Sequence, residues 1–154
     1  IKKLGVVIST QPLVITLQAD GYKNATNAAA MANFMPIKSM LKNDIPVAFG
    51  CDVPAAITHE PKWALIGATS RKTNSGYTPG TEERINIHEA LRIHTMGSAY
   101  AAFEEKEKGS IEAGKLADLV VWSQDIYSMN PQEAVTLEAI ITIVGGQIVY
   151  EKNK

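Results

Sequence analysis

The chain is 154 residues long, 45% hydrophobic and 20% charged, a balance that fits a folded protein with one sizeable core and excludes a disordered one. Its 15 basic and 16 acidic residues give a formal charge of -1, and charge clusters only in the short mixed run Glu104 to Lys108, so neither nucleic acid nor an anionic membrane is an expected partner. Cys51 is the single cysteine, which rules out an intrachain disulfide and points to a reducing, cytoplasmic setting.

Apolar stretches are short and interrupted, and none nears the roughly 20 residues that span a bilayer. The opening Ile1-Lys2-Lys3, followed at once by an apolar run, reads as a cut into a longer protein. Gly5-Val6-Val7-Ile8-Ser9 is near-continuously apolar and β-branched, the pattern of a strand in a buried parallel sheet, and Ile45 to Gly50 repeats it. Between them the sequence predicts a polar loop to about Thr26, a helix from Ala28 to Phe34, and a second helix opened by Pro36. Strand, helix, strand is a βα repeat, and the fold class is α/β.

A loop from Asp52 to His59 leads to a helix starting at Pro61 and ending near Arg71. Lys72 to Glu83 is rich in Thr, Gly, Ser and Pro and is expected to be an exposed loop. Asn86 and Glu89 have capping-box spacing, so a helix runs on to about His94, and a separate one follows from Ser98 to Glu105. From Gly109 the texture changes to short strands, Leu119 to Trp122 and Ala139 to Val144, and Gly145-Gly146 signals a hairpin turn before Gln147 to Tyr150. A boundary falls near residue 107.

Gly109-Ser110-Ile111-Glu112-Ala113-Gly114-Lys115 has phosphate-loop spacing, but Leu116 stands where Ser or Thr would hold magnesium, and a strand follows where a helix should begin. His88-Glu89 lacks the second histidine one turn on that a zinc helix requires, since that position is Arg92; His94 falls on another face. Cys51 reads as inert filler. Asp52 is different, because it stands at the C-terminal end of a parallel strand, the end that carries chemistry in barrel enzymes. It is equally placed to cap the turn or helix that follows.

Several segments, in order, resemble the amidohydrolase superfamily, in particular its YtcJ-type and exoenzyme-regulatory hydrolases. They are Gly5 to Pro12, Ala48-Phe49-Gly50-Cys51-Asp52-Val53-Pro54, Glu89-Ala90-Leu91-Arg92 with Ser98 to Glu104, Lys108 to Val121, and Thr142 to Tyr150. The resemblance implies the C-terminal part of a (β/α)8 TIM barrel, strands 7 and 8 with their helices in residues 1–107, followed by part of a small β-sandwich in residues 108–154. It makes Asp52 the catalytic base and a ligand of a divalent metal, zinc by preference. Gln11 and His59 become candidate substrate contacts, although His59 reads first as a solvent-exposed loop residue. The implied reaction is hydrolysis of an amide-like, non-peptide C–N bond in a small molecule.

The family's other ligands, a His-x-His pair, a bridging Lys or Glu and two further histidines, lie in segments this sequence does not contain. Cys51 replaces the usual Ser, and Leu13 and Val14 stand where a histidine often follows Gln-Pro. A barrel needs about 250 residues. The chain alone is therefore expected to bind no metal, to be inactive and to self-associate; the alternative is a non-catalytic packing or oligomerisation module that keeps the end of the fold.

Overall fold

The computed structural model describes residues 1–56 and 58–152, which form two small sheets with helices between them. Strands β1 (Ile8–Thr10) and β2 (Val47–Phe49) run parallel, with Ile8 beside Val47, Ser9 beside Ala48 and Thr10 beside Phe49. The first strand starts three residues later than its apolar run predicts, because Lys2–Leu4 form a 3-10 turn that Gly5 closes at φ 65. Glycine takes that left-handed conformation without steric cost.

Parallel strands need a crossover. Here it consists of short helices, α1 (Leu13–Leu17), α2 (Ala19–Ala25), α3 (Ala28–Ala32) and α4 (Ile37–Lys42). The polar loop expected as far as Thr26 is thus helical. Leu13, Ile15 and Ala19 are fully buried, and their packing outweighs the polar residues between them. Asn27 caps α3 by accepting from Ala30 N at 2.9 Å, and Glu83 closes the N-terminus of α4 by accepting from Ser39 N at 2.8 Å. Burial pushes the Glu83 carboxyl up, but the Ser39 bonds and the Arg71 charge outweigh it and leave the group below its ordinary range.

Helix α5 (Pro61–Ser70) buries Ala64, Leu65 and Ala68 in one core with Val47, Phe49, Ile37, Ile85 and Ala90. It lies so close to α1 that a Cβ at Gly67 would stand 2.0 Å from Pro12 O. Arg71 ends the helix at φ 52 and is itself completely buried. Its Nε donates to Pro79 O at 2.8 Å and its Nη1 to Met35 O at 3.1 Å, while Nη2 donates to Phe34 O. Desolvation lowers its pKa to about 10, which still leaves it charged at neutral pH. The stretch from Lys72 to Glu83 is accordingly not a free surface loop. Thr73 and Pro79 are buried, and Asp20 of α2 accepts from Thr73 Oγ1 at 2.7 Å and Ser75 N at 3.1 Å. The Ser75 and Thr73 hydroxyls hold the Asp20 carboxyl below its ordinary range.

Helix α6 (Ile87–Arg92) opens on the Asn86–Glu89 capping box. It passes without a break through a π turn, Ile93–Gly97, into α7 (Ser98–Ala101), so the two helices expected here are one. The π turn sets Gly97 against β2, where a Cβ would stand 2.3 Å from Val47 O, and Ser98 Oγ donates to Phe49 O at 3.2 Å. His94, in the same turn, has its ring 6.3 Å from that of Phe49; burial lowers its pKa, and its Nδ1 has no partner among the described residues.

The second sheet is antiparallel in the order β3 (Leu119–Trp122), β4 (Ala139–Val144), β5 (Gln147–Glu151), with Gly145 and Gly146 turning the hairpin at φ 55 and 80. Ile126 and Leu137, on the connection from β3 to β4, insert into the core around β2. No helix among the described residues is long and apolar enough to cross a membrane.

Two glycines test this packing. Gly67→Ala should destabilise by at least about 2 kcal/mol, because the backbone at Pro12 cannot give way. Gly21→Ala, in α2 with nothing within 4 Å of the added carbon, should stabilise by about 0.5–1 kcal/mol. Urea unfolding of both variants measures the contrast. His94 supplies a pH test. Its folded pKa lies below the ordinary 6.5, so the unfolded chain binds the extra proton and stability falls as pH drops below that value. Asp20 and Glu83 act only near and below their own ordinary values of 3.8 and 4.5. His94→Gln should therefore flatten the slope of stability between about pH 6.5 and 5, followed by urea midpoints at each pH.

Candidate active site at the strand ends

Side chains alternate across a strand. Val47 and Phe49 point into the core with α5, which leaves Ser9, Gln11, Ala48 and Gly50 on the opposite face. The last rung of the ladder is Gly50 N to Thr10 O at 3.0 Å. Ser9 is exposed and Gln11 half-buried, and both lie beside Gly50: a Cβ built there would meet Ser9 Oγ at 3.7 Å and Gln11 Nε2 at 3.8 Å. Ser9 was not singled out from the sequence, although its place two residues before Gln11 in a strand puts both on one face.

Beyond that rung the chain leaves the sheet. Cys51 is half-buried, and Asp52 is exposed with φ 56. Aspartate is one of the few residues that enters the left-handed region readily. The turn is closed by backbone, since the Asp52 carbonyl accepts from Ala56 N at 2.8 Å. Asp52 does not cap α5, whose N-cap is Glu60. The Glu60 carboxylate accepts from Trp63 Nε1 at 3.1 Å and pairs with Lys62 at 3.0 Å, and the Lys62 bond holds its pKa down. Asp52 thus stands in the turn just past the C-terminal end of the parallel pair, the end that also carries Gln11.

His59 is placed differently. It is exposed and lines a cleft of about 530 Å³ between the start of α5 and the second sheet, with Lys62, Trp122 and Tyr150. The structure therefore groups Gln11 with the strand ends and sets His59 toward β3–β5. The remaining motifs are absorbed by packing. Lys115 Nζ donates to Glu105 O and Ser110 Oγ, both at 2.6 Å, closing the glycine loop on itself where a phosphate would sit. His88 stacks on Tyr127 with ring centroids 4.4 Å apart.

A zinc centre takes about four ligands. Among the described residues no group of three or more His, Cys, Asp or Glu side chains is arranged to hold a metal ion. Asp52 has the oxygen donor and the exposure that a ligand needs, but the described residues do not fit a complete centre.

The profile of the amidohydrolase family matches residues 1–150. The N-substituted formamide deformylase of Arthrobacter pascens is 34% identical over 118 residues, which is 77% of this chain and 22% of that protein. The putative amidohydrolase YtcJ of Bacillus subtilis (strain 168) is 34% identical over 122 residues, 75% of this chain and 22% of its own length. The chain therefore spans about a fifth of the length of these two curated relatives. Among solved structures, an uncharacterised metal-dependent hydrolase from Pyrococcus horikoshii OT3 superposes with a TM-score of 0.71 at 21% identity, covering 85% of this chain and 27% of that one. The profile match over residues 1–150, which is nearly the whole chain, places this chain in the amidohydrolase family.

Proposed function

We propose that the chain acts as the C-terminal part of a (β/α)8 amidohydrolase that hydrolyses an amide-like, non-peptide C–N bond in a small molecule. In this reading β1 and β2 are strands 7 and 8, residues 1–107 complete the barrel, and residues 108–154 contribute to a β-sandwich. The carrying observation is Asp52, exposed where the parallel pair ends and not the N-cap of the helix that follows. Its carboxylate takes the proton of the attacking water as the C–O bond forms, then delivers it to nitrogen as the C–N bond breaks, so the amine leaves neutral. Gln11, whose amide lies on the same face, is positioned to hydrogen-bond the substrate beside the reacting carbon. A divalent metal, zinc by family resemblance, supplies acidification of water when bound. Its remaining ligands come from outside residues 1–154.

In the complete protein, Asp52→Asn should lower turnover of an N-substituted formamide by about 10²–10⁴-fold, since it deletes the base. Stability should move by less than about 0.5 kcal/mol, because asparagine also accepts the left-handed backbone. Near-normal turnover would show that Asp52 only shapes the turn. In equilibrium dialysis of the isolated chain, zinc should bind no better than to Asp52→Ala. Tight stoichiometric binding lost on that substitution would contradict the divided ligand set.

The isolated chain also self-associates in this reading, though through a different surface from the one its apolar strands suggest. The face of β1 and β2 opposite the core cluster carries Ser9, Gln11 and Gly50 beside buried Ala48, whereas the second sheet exposes Val121 and Ile148 on one face and Val144 on the other. Exposed apolar side chains on a sheet favour association. Light scattering at micromolar concentration should report at least a dimer, and Ile148→Lys should shift it toward monomer; a monomeric wild type would refute the association.

A further inference from the structure

Glycines in packed elements usually answer to backbone conformation or to space, and several here do. A Cβ at Gly67 or Gly97 would strike backbone oxygen at 2.0 or 2.3 Å, and Gly5, Gly80 and Gly109 hold left-handed φ values. Gly50 answers to neither. Its φ lies outside the left-handed region, and an added Cβ meets only Ser9 Oγ at 3.7 Å and Gln11 Nε2 at 3.8 Å, ordinary van der Waals distances. Nothing within this chain requires glycine there. A strand-end glycine is also unfavourable in itself, since it contributes no side-chain packing and loses more backbone entropy than alanine. A glycine at the end of a strand that no neighbour forces is a place where a ligand or another backbone can approach closely.

The position of Gly50 narrows the choice. It lies on the face turned away from the core, flanked by one hydroxyl and one amide, two residues before Asp52. A methyl group there would occupy the space between Ser9 Oγ and Gln11 Nε2. We propose that Gly50 forms the floor of the substrate cleft and limits the size of the nitrogen substituent that can lie between Ser9 and Gln11. The inference rests on the hydrolase reading above and adds to it a specificity residue: Gly50 admits a broad, flat substituent, such as an aromatic ring, against bare backbone.

The test compares wild-type complete protein with Gly50→Ala on N-methylformamide and N-benzylformamide, together with thermal unfolding of both proteins. The ratio of kcat/KM for the benzyl over the methyl substrate should fall at least tenfold in the variant, with the loss carried by KM for the benzyl compound. The Tm of Gly50→Ala should equal or exceed that of wild type. An unchanged ratio in an active enzyme overturns this inference alone and leaves the role of Asp52 standing. A Tm lowered by more than about 4 °C overturns it too, because the glycine would then be structural. A wild type inactive on both formamides overturns the inference together with the formamide-type substrate it assumes.

Discussion

A two-stranded parallel sheet leaves half of its backbone groups on outer edges with no strand to meet them, and the architecture of this chain turns on how one edge is covered. In β2 the groups of Pro46 and Gly50 face β1, shown by Ile8 N to Pro46 O and Gly50 N to Thr10 O. Alternation therefore turns the carbonyls of Val47 and Phe49 outward. The π turn brings Ser98 Oγ to Phe49 O and sets Gly97 against Val47 O, so a helix stands along the edge. An ordinary α-helical phase would rotate those two residues relative to Ile93, which is buried in the same core. The extra residue in the turn lets one helix satisfy both demands. With the edge covered and Val47, Ala48 and Phe49 all buried, the chain first becomes exposed past the strand, at Asp52.

Arg71 holds the other half of the arrangement. Its guanidinium is bonded to the carbonyls of Phe34, Met35 and Pro79, none of which lies within a helix or strand. Such irregular backbone cannot be buried without donors. A lysine would bring a point charge without the planar fork that reaches separate acceptors. Burial of the charge is tolerated because Glu83 lies near enough to favour the protonated form, and the same carboxylate closes the first turn of α4. The segment from Met35 to Thr81 is in this way tied across the core, and β2 lies in the middle of it.

The sequence was most legible where structure is decided locally. The Asn86–Glu89 box, the Gly145-Gly146 hairpin and the helix opened at Pro61 involve neighbours a few residues apart, and each is found where its residues point. Local reading failed at α1 and α2, short helices set among polar residues; α1 is held by α5, some fifty residues away, through a close approach at Gly67, and α2 packs on α1. It failed likewise at Lys72 to Glu83, where composition says loop while Asp20 and Arg71 supply the ties from elsewhere in the chain. The candidate site was legible in part. A carboxylate at a strand end is a matter of order along the chain, so Asp52 and Gln11 could be singled out, but the divergence of His59 toward the second sheet depends on the path of the loop before α5.

The way Asp52 is held bears on the divided site proposed for it. Its placement is set by backbone: Gly50 is fixed by the last rung of the ladder, and the Asp52 carbonyl is fixed by Ala56. The carboxylate, by contrast, is exposed to water. A carboxylate already committed to an internal donor would have to give up that bond before serving as ligand or base, and would lose part of the interaction doing so. One positioned through its main chain keeps its lone pairs available while its direction is preserved. Such a group can be built into the fold before the rest of the centre arrives, since it needs no neighbouring ligand to hold it. The chain passes from Phe49, buried in the core with α5, to exposed Asp52 within three residues, so a change at Asp52 reaches the core through the backbone that it shares with Phe49.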